Sequence, residues 1–105
     1  MPIQLPGRKD QEGKPMMQLI IPDFLLEIAQ VMTFGANKYG ELNWRGGIRT
    51  SKLYGALLRH VMQAMKGEVI DAESGCHALA HVAANCMMIM WMEQNIPELD
   101  DQPCD

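Results

Sequence analysis

Residues 72 to 94 are apolar at nearly every position other than Glu73, His77, His81 and Asn85, and those four recur at successive i, i+4 intervals. A segment of that length and spacing predicts a helix. A helix that is apolar around most of its circumference has to be buried, so the chain has to supply other helices to cover it. The four polar side chains then lie along one slowly turning stripe. A buried polar group without a partner costs about 1 to 3 kcal/mol. The stripe therefore calls for a common partner: a polar helix face, ordered water, a metal or a ligand.

The rest of the chain is read around that helix. Pro2, Pro6, Gly7, Gly13 and Pro15 forbid a long helix in residues 1–21, which form an arm whose MQLIIP segment is expected to be extended. From Pro22 the apolar residues Phe24, Leu25, Ile28, Val31 and Met32 return at helical spacing, which predicts a first helix over 22–37. A second is predicted over 51–66, with Thr50 or Ser51 as N-cap and Gly67 as terminator. Glu68 to Asp71 reads as a short connector, with Asp71 capping the third helix and Glu73 in its first turn. That helix ends before Pro97, and the acidic segment 96–105 is expected to fray as a flexible tail. Strand signals are nearly absent, so the expectation is one all-α domain over residues 1–105.

Charge and composition narrow the function. A net charge of −4 and a pI near 5.2 argue against a protein that lives on a nucleic-acid polymer. The longest apolar run, Cys86 to Met92, is far short of the ~20 residues that span a bilayer, so no membrane partner is expected. The charged N-terminus does not read as a secretory signal, and the three cysteines form no CxxC pair. Both features point to a reducing cytoplasm.

Several residues bear chemistry. In the glycine-rich stretch from Gly35 to Thr50, Tyr39 and Trp44 suit stacking on a base, while Lys38, Arg45 and Arg49 suit phosphates. Trp44 fits equally well as an apolar plug, and Asn43 as a base-edge donor or a turn residue. Arg59 and His60 interrupt the apolar rows of the second helix; Arg59 suits phosphate or plain solvent exposure. Glu68, Asp71 and Glu73 are three carboxylates within six residues, the oxygen donors that Mg²⁺ takes, with Mn²⁺ as a substitute. Zn²⁺ on Glu73, His77 and His81 ranks lower, because no HExxH motif supplies a general base.

Taken in order, Arg8 to Lys14 (RKDQEGK), Gly35 to Arg45 (GANKYGELNWR), Arg59-His60 and Gly67 to Asn85 (GEVIDAESGCHALAHVAAN) resemble the N-terminal domain of phage-type dATP/dGTP diphosphohydrolases. That family is similar to the all-α MazG-like nucleoside triphosphate pyrophosphohydrolases. The resemblance implies a MazG-like bundle completed by homo-oligomerisation, and hydrolysis of dGTP or dATP to the monophosphate and pyrophosphate. It implies Mg²⁺ on Glu68, Asp71 and Glu73, with Glu73, His77, His81 and Arg59 in catalysis. Lys38, Tyr39, Asn43, Trp44, Arg45, His60 and Asn85 would contact the nucleotide. A phage origin would place the protein in the cytoplasm of an infected bacterium. MazG-like enzymes carry an ExxE pair on one helix and ExxD on the next, whereas no acid occurs here between Asn43 and Gly67. The competing reading is a non-catalytic helical module that binds a nucleotide or a protein, its histidines a buried hydrogen-bond network.

Overall fold

The computed structural model describes residues 6–10 and 12–102. Three helices form its frame: α1 (Pro22–Tyr39), α2 (Thr50–Met65) and α3 (Ala78–Asn95), with short 3₁₀ turns at Met17–Leu19, Asn43–Gly46 and Pro97–Leu99. Among the described residues there is no strand, only an isolated antiparallel bridge between Ile70 and His77. The all-α expectation holds.

α1 starts at Pro22, whose fixed φ suits a first turn and whose missing N–H would have had no partner there. It runs two residues past the expected end and stops at Gly40, where φ is 100° and the amide closes onto Ala36 O at 2.8 Å. Only glycine adopts that backbone freely. Of the expected apolar row, Ile28, Val31 and Met32 face the core, whereas Phe24 and Leu25 stay exposed. The MQLIIP segment departs from the extended expectation: Met17–Leu19 curls into a 3₁₀ turn before Ile20 and Ile21 straighten.

α2 begins at Thr50, and neither Thr50 nor Ser51 is its N-cap; Arg49 occupies that place without a side-chain cap. The open helix end is met from the far end of the chain. The Ser51 amide donates to Asp101 Oδ1 at 2.9 Å and Ser51 Oγ donates to Oδ2 at 2.6 Å, while Thr50 Oγ1 reaches Asp100 Oδ1 at 3.3 Å. The segment expected to fray is thus packed as far as Gln102, because a carboxylate at a helix N-terminus satisfies free amides and opposes the dipole. Residues 103–105, Cys104 included, lie outside the described residues, as does Pro2.

α3 starts at Ala78, six residues later than the pattern predicts. Residues 66–77 form the connector, which turns at Gly67 (φ 86°) and Gly75 (φ 72°). Asp71 caps no helix; its Oδ2 accepts the Ser74 amide at 2.9 Å inside this connector. The N-cap is His77, whose Nδ1 accepts the Leu79 amide at 3.0 Å. The Ser74-Gly75 pair is a turn signal that overrides helical periodicity. Glu73 and His77 are therefore off the helix, and the four-residue stripe shrinks to His81 and Asn85.

α3 is the central element. On one side Val31 of α1 packs against Cys76, Ala80 and Ala84. On the other, Leu53 of α2 meets Ile89 and Met92, and Trp44, Ile48, Trp91, Ile96 and Leu99 close that cluster. The two alanines are almost fully buried, and their size lets α1 approach closely.

Candidate functional site

A cleft of about 1000 Å³ opens between α1 and α3. Its α1 wall is mostly apolar, with Leu25, Ile28 and Met32, and ends at Tyr39; the loop after α1 adds Glu41, Asn43 and Trp44; α3 adds His81, Asn85 and Met88. Two blocks far apart in sequence, Gly35 to Trp44 and His81 to Asn85, thus face one space. A mostly apolar cavity with a few polar groups is the usual form of a small-molecule site, and this volume lies at the top of the usual ~300–1,000 Å³ range.

The connector holds His81, one of the polar side chains lining the cleft. Ser74 Oγ lies 2.6 Å from His81 Nε2 and accepts the Cys76 amide at 3.1 Å. The His81 ring stacks on His60 of α2, with centroids 4.2 Å apart and planes 11° from parallel. Burial, then the neighbouring His60, lowers the pKa of His81 against the opposing pull of Asp71 and Glu73. For Asp71 the largest influence is burial, which raises its pKa, yet the Ser74 amide and hydroxyl with His81 and His60 outweigh it and the net shift is downward. Asn85, nearly buried, donates through Nδ2 to His81 O at 2.9 Å. At the rim Lys38 Nζ pairs with Glu73 Oε1 at 2.5 Å, joining the end of α1 to the connector, and Glu73 raises the pKa of Lys38.

The expected constellation is brought together only in part. His60, Asp71, Glu73, His81 and Asn85 form one neighbourhood. His77 serves as a helix cap. Arg59 points away: with Gln63, Lys66 and Glu68 it lines a separate shallow hollow of about 410 Å³ on α2. Trp44 is a plug rather than an open stacking surface, edge-on to Trp91 at 5.1 Å and 72°, with the Arg45 guanidinium 5.4 Å from its ring. Tyr39 remains exposed at the cleft.

The expected metal ligands do not gather. Glu68 lies at the other hollow, Asp71 is turned into its loop, and Glu73 is held by Lys38. Among the described residues no three of His, Cys, Asp or Glu converge, so Glu68, Asp71 and Glu73 do not come together as one ligand set, nor do Glu73, His77 and His81. Nor does the polar stripe need a guest: among the described residues no buried side-chain nitrogen or oxygen lacks a hydrogen-bond partner.

Sequence reasoning passed over Ser74 and Asp101. The signal for Ser74 was its place three residues after Asp71 and just before a glycine, the spacing of a side-chain-stabilised turn. No local signal marks Asp101, whose partner is 50 residues away.

The family model for the N-terminal region of dATP/dGTP diphosphohydrolase matches residues 4–102. A dATP/dGTP diphosphohydrolase of Salmonella phage PMBT28 is 40% identical over 96 residues, which cover 91% of this chain and 33% of that relative. The chain spans about a third of the length of the relative it matches. No solved structure matches it.

Proposed function

This chain belongs to the dATP/dGTP diphosphohydrolase N-terminal family, and from that membership we propose that its α1–α3 cleft binds a purine deoxynucleoside triphosphate, dGTP or dATP, for hydrolysis to the monophosphate and pyrophosphate. Water attacks the α-phosphorus, the bond to the bridging oxygen breaks, and pyrophosphate leaves. The observation that carries this reading is the convergence of Gly35 to Trp44 and His81 to Asn85 on one cleft of nucleotide size. The apolar α1 wall holds base and sugar, Tyr39 and Asn43 lie at the rim, and Lys38 offers its ammonium to the phosphates. His81 and Asn85 contact the reacting end. No step is assigned to a metal bound by this chain; magnesium enters with the triphosphate as part of the substrate.

Homo-oligomerisation belongs to the same proposal. The chain exposes 8430 Å², against roughly 5,900 Å² for a compact monomer of this mass. The difference exceeds the ~800 Å² per partner of an ordinary interface. Leu79, Met87 and Met90 stand exposed on α3, the helix whose composition demands burial on all sides.

Purified protein incubated with dGTP or dATP and Mg²⁺ is expected to release pyrophosphate, with His81→Ala slower by on the order of 100-fold, as for loss of one hydrogen-bond donor at a reacting phosphate. Absence of pyrophosphate from both nucleotides, with Glu73→Ala indistinguishable from wild type, rejects the enzyme. A second reading, a nucleotide-binding module without turnover, is favoured by one finding: among the described residues no buried side-chain nitrogen or oxygen lacks a hydrogen-bond partner. Calorimetry that finds nucleotide binding independent of metal, alongside absent turnover, selects it.

A further inference from the structure

We infer that the outer face of α2 is the seat for the start of α1 from a second copy of this chain, held by apolar contact and by Asp23 and Glu27 set against Lys52, Arg59 and Lys66. The inference rests on the homo-oligomer of the proposed function and adds which faces meet; it does not depend on turnover.

α2 turns Leu53 and Leu57 toward α3, while Tyr54, Leu58, Met62 and Met65 recur every three or four residues on the side left in water. Leu58, Met62 and Met65 are each more than half exposed. Beside this stripe run Lys52, Arg59 and Lys66, two helical turns apart, and Leu58, Arg59, Met62 and Lys66 line one hollow together with Glu68. No acid occurs between Asn43 and Gly67. Among the described residues the ion pair formed is Lys38 with Glu73, so the three cations of this face hold no carboxylate. An apolar stripe edged by free cations is complementary to an apolar helix edged by acids. A phosphate backbone would satisfy the cations and leave Leu58 and the methionines in water.

The start of α1 has that composition. Ile28, Val31 and Met32 pack with Cys76, Ala80 and Ala84. Ile20, Ile21 and Phe24 stay exposed, although Phe24 lies two turns before Val31 on the same side of the helix. Asp23 and Glu27, one turn apart, flank Phe24 in sequence. The chain's own α2 is out of reach: α1 sits against Ala80 and Ala84 and α2 against Ile89 and Met92, so α1 cannot cross to the far face of α2 while Val31 stays seated. A second copy can supply it, and under two-fold symmetry each copy offers both halves of the contact. The molecule is elongated in keeping, with a radius of gyration of 18.0 Å against ~13 Å for a compact chain of about 100 residues. Its exposed area of 8430 Å² leaves room for an ordinary interface of ~800 Å² per partner. Leu25 ties the contact to the cleft, which it lines while remaining exposed, so seating α1 on a partner also firms one wall of the cleft.

Carbodiimide couples carboxylates to neighbouring lysines without a spacer. Applied to an equimolar mixture of ¹⁴N and ¹⁵N copies of the 105-residue chain, it is expected to join Asp23 or Glu27 to Lys52 or Lys66 in peptides of mixed isotope. Light scattering is the second arm. Asp23→Lys with Glu27→Lys, and in a separate chain Arg59→Glu with Lys66→Glu, are each expected to weaken self-association by about 10-fold or more. Mixing the two variants restores it, because each then offers the charge the other lacks. Mixed-isotope links confined to other residues, or variants that associate as wild type does, overturn the inference and leave the oligomer standing; a wild-type monomer removes both. If a variant does not fold, the wild-type cross-links decide. Binding of a single-stranded dT oligonucleotide that is lost in Arg59→Glu with Lys66→Glu, at unchanged mass, assigns the basic row to a phosphate backbone and also overturns the inference.

Discussion

His81 concentrates the residue-scale physics. Its pKa is lowered in the folded chain, so the unfolded chain takes up the proton first as pH falls. The stability contributed by the neutral ring is complete above the ordinary imidazole value of 6.5 and is lost as pH drops from there through the folded pKa. Urea midpoints are expected to fall between neutral pH and about pH 5, and to fall less in His81→Gln; equal slopes would show that the ring titrates as it does in the unfolded chain. Asp71 has the same sign at lower pH, its contribution fading as pH falls below the ordinary carboxylate value of 3.8. Gly47 is a second sensitive residue. With φ at 115° and a Cβ that would meet Leu99 Cδ1 at 2.9 Å, Gly47→Ala combines backbone strain with a clash. We expect a loss of about 1 to 3 kcal/mol in denaturant unfolding, part of which Leu99→Ala recovers by removing the contact.

At the scale of elements, α3 sets the energetics because both core clusters hang on it. Met92 is fully buried between α2 and the Pro97–Leu99 turn, so Met92→Ala is expected to cost about 2 to 5 kcal/mol by thermal or urea unfolding. Ala84 acts in the opposite sense. It sits where α1 comes close, and Ala84→Leu forces the helices apart at a cost of about 1 to 3 kcal/mol. That substitution should also alter the cleft, so nucleotide binding and stability fall together; full stability in this variant would mean that α1 is not seated as described. The N-terminus of α2 depends on Asp101, whose pKa the Ser51 hydroxyl and amide lower. Removing its carboxylate as Asp101→Asn is expected to increase amide exchange in the first turn of α2 without changing exchange in α1.

For the whole molecule, the chain exposes 8430 Å², more than a compact monomer of this mass, with Leu79, Met87 and Met90 open on α3. Light scattering is expected to report a mass that is a multiple of 11.8 kDa, and Met90→Glu on the open face of α3 to lower it. A monodisperse 11.8 kDa species at micromolar concentration would reject the oligomer. The acidic charge and the shortage of carboxylates at the cleft act together. Glu73 is tied to Lys38 and Glu68 lies on the other hollow, and among the described residues no group of three His, Cys, Asp or Glu side chains gathers.

Helical periodicity, Pro22, Gly67 and Pro97 were enough to determine the helix class, the number of long helices and the ends of α1 and α2 to within two residues, because those signals act within one turn of the chain. The family blocks were also legible as strings. Which of their residues meet was not. Glu73 and His77 have the spacing of a helix face, yet the Ser74-Gly75 turn and the Ile70–His77 bridge, with the long-range pairing of Lys38 to Glu73, draw them into the connector. Arg59 and His60 are neighbours in sequence and point to different sides of α2 because successive helical positions are about 100° apart. Asp101 finds Ser51 only after α3 has carried the chain back beside the start of α2. Local propensity decides where a helix forms; packing against distant segments decides which side chains share a site.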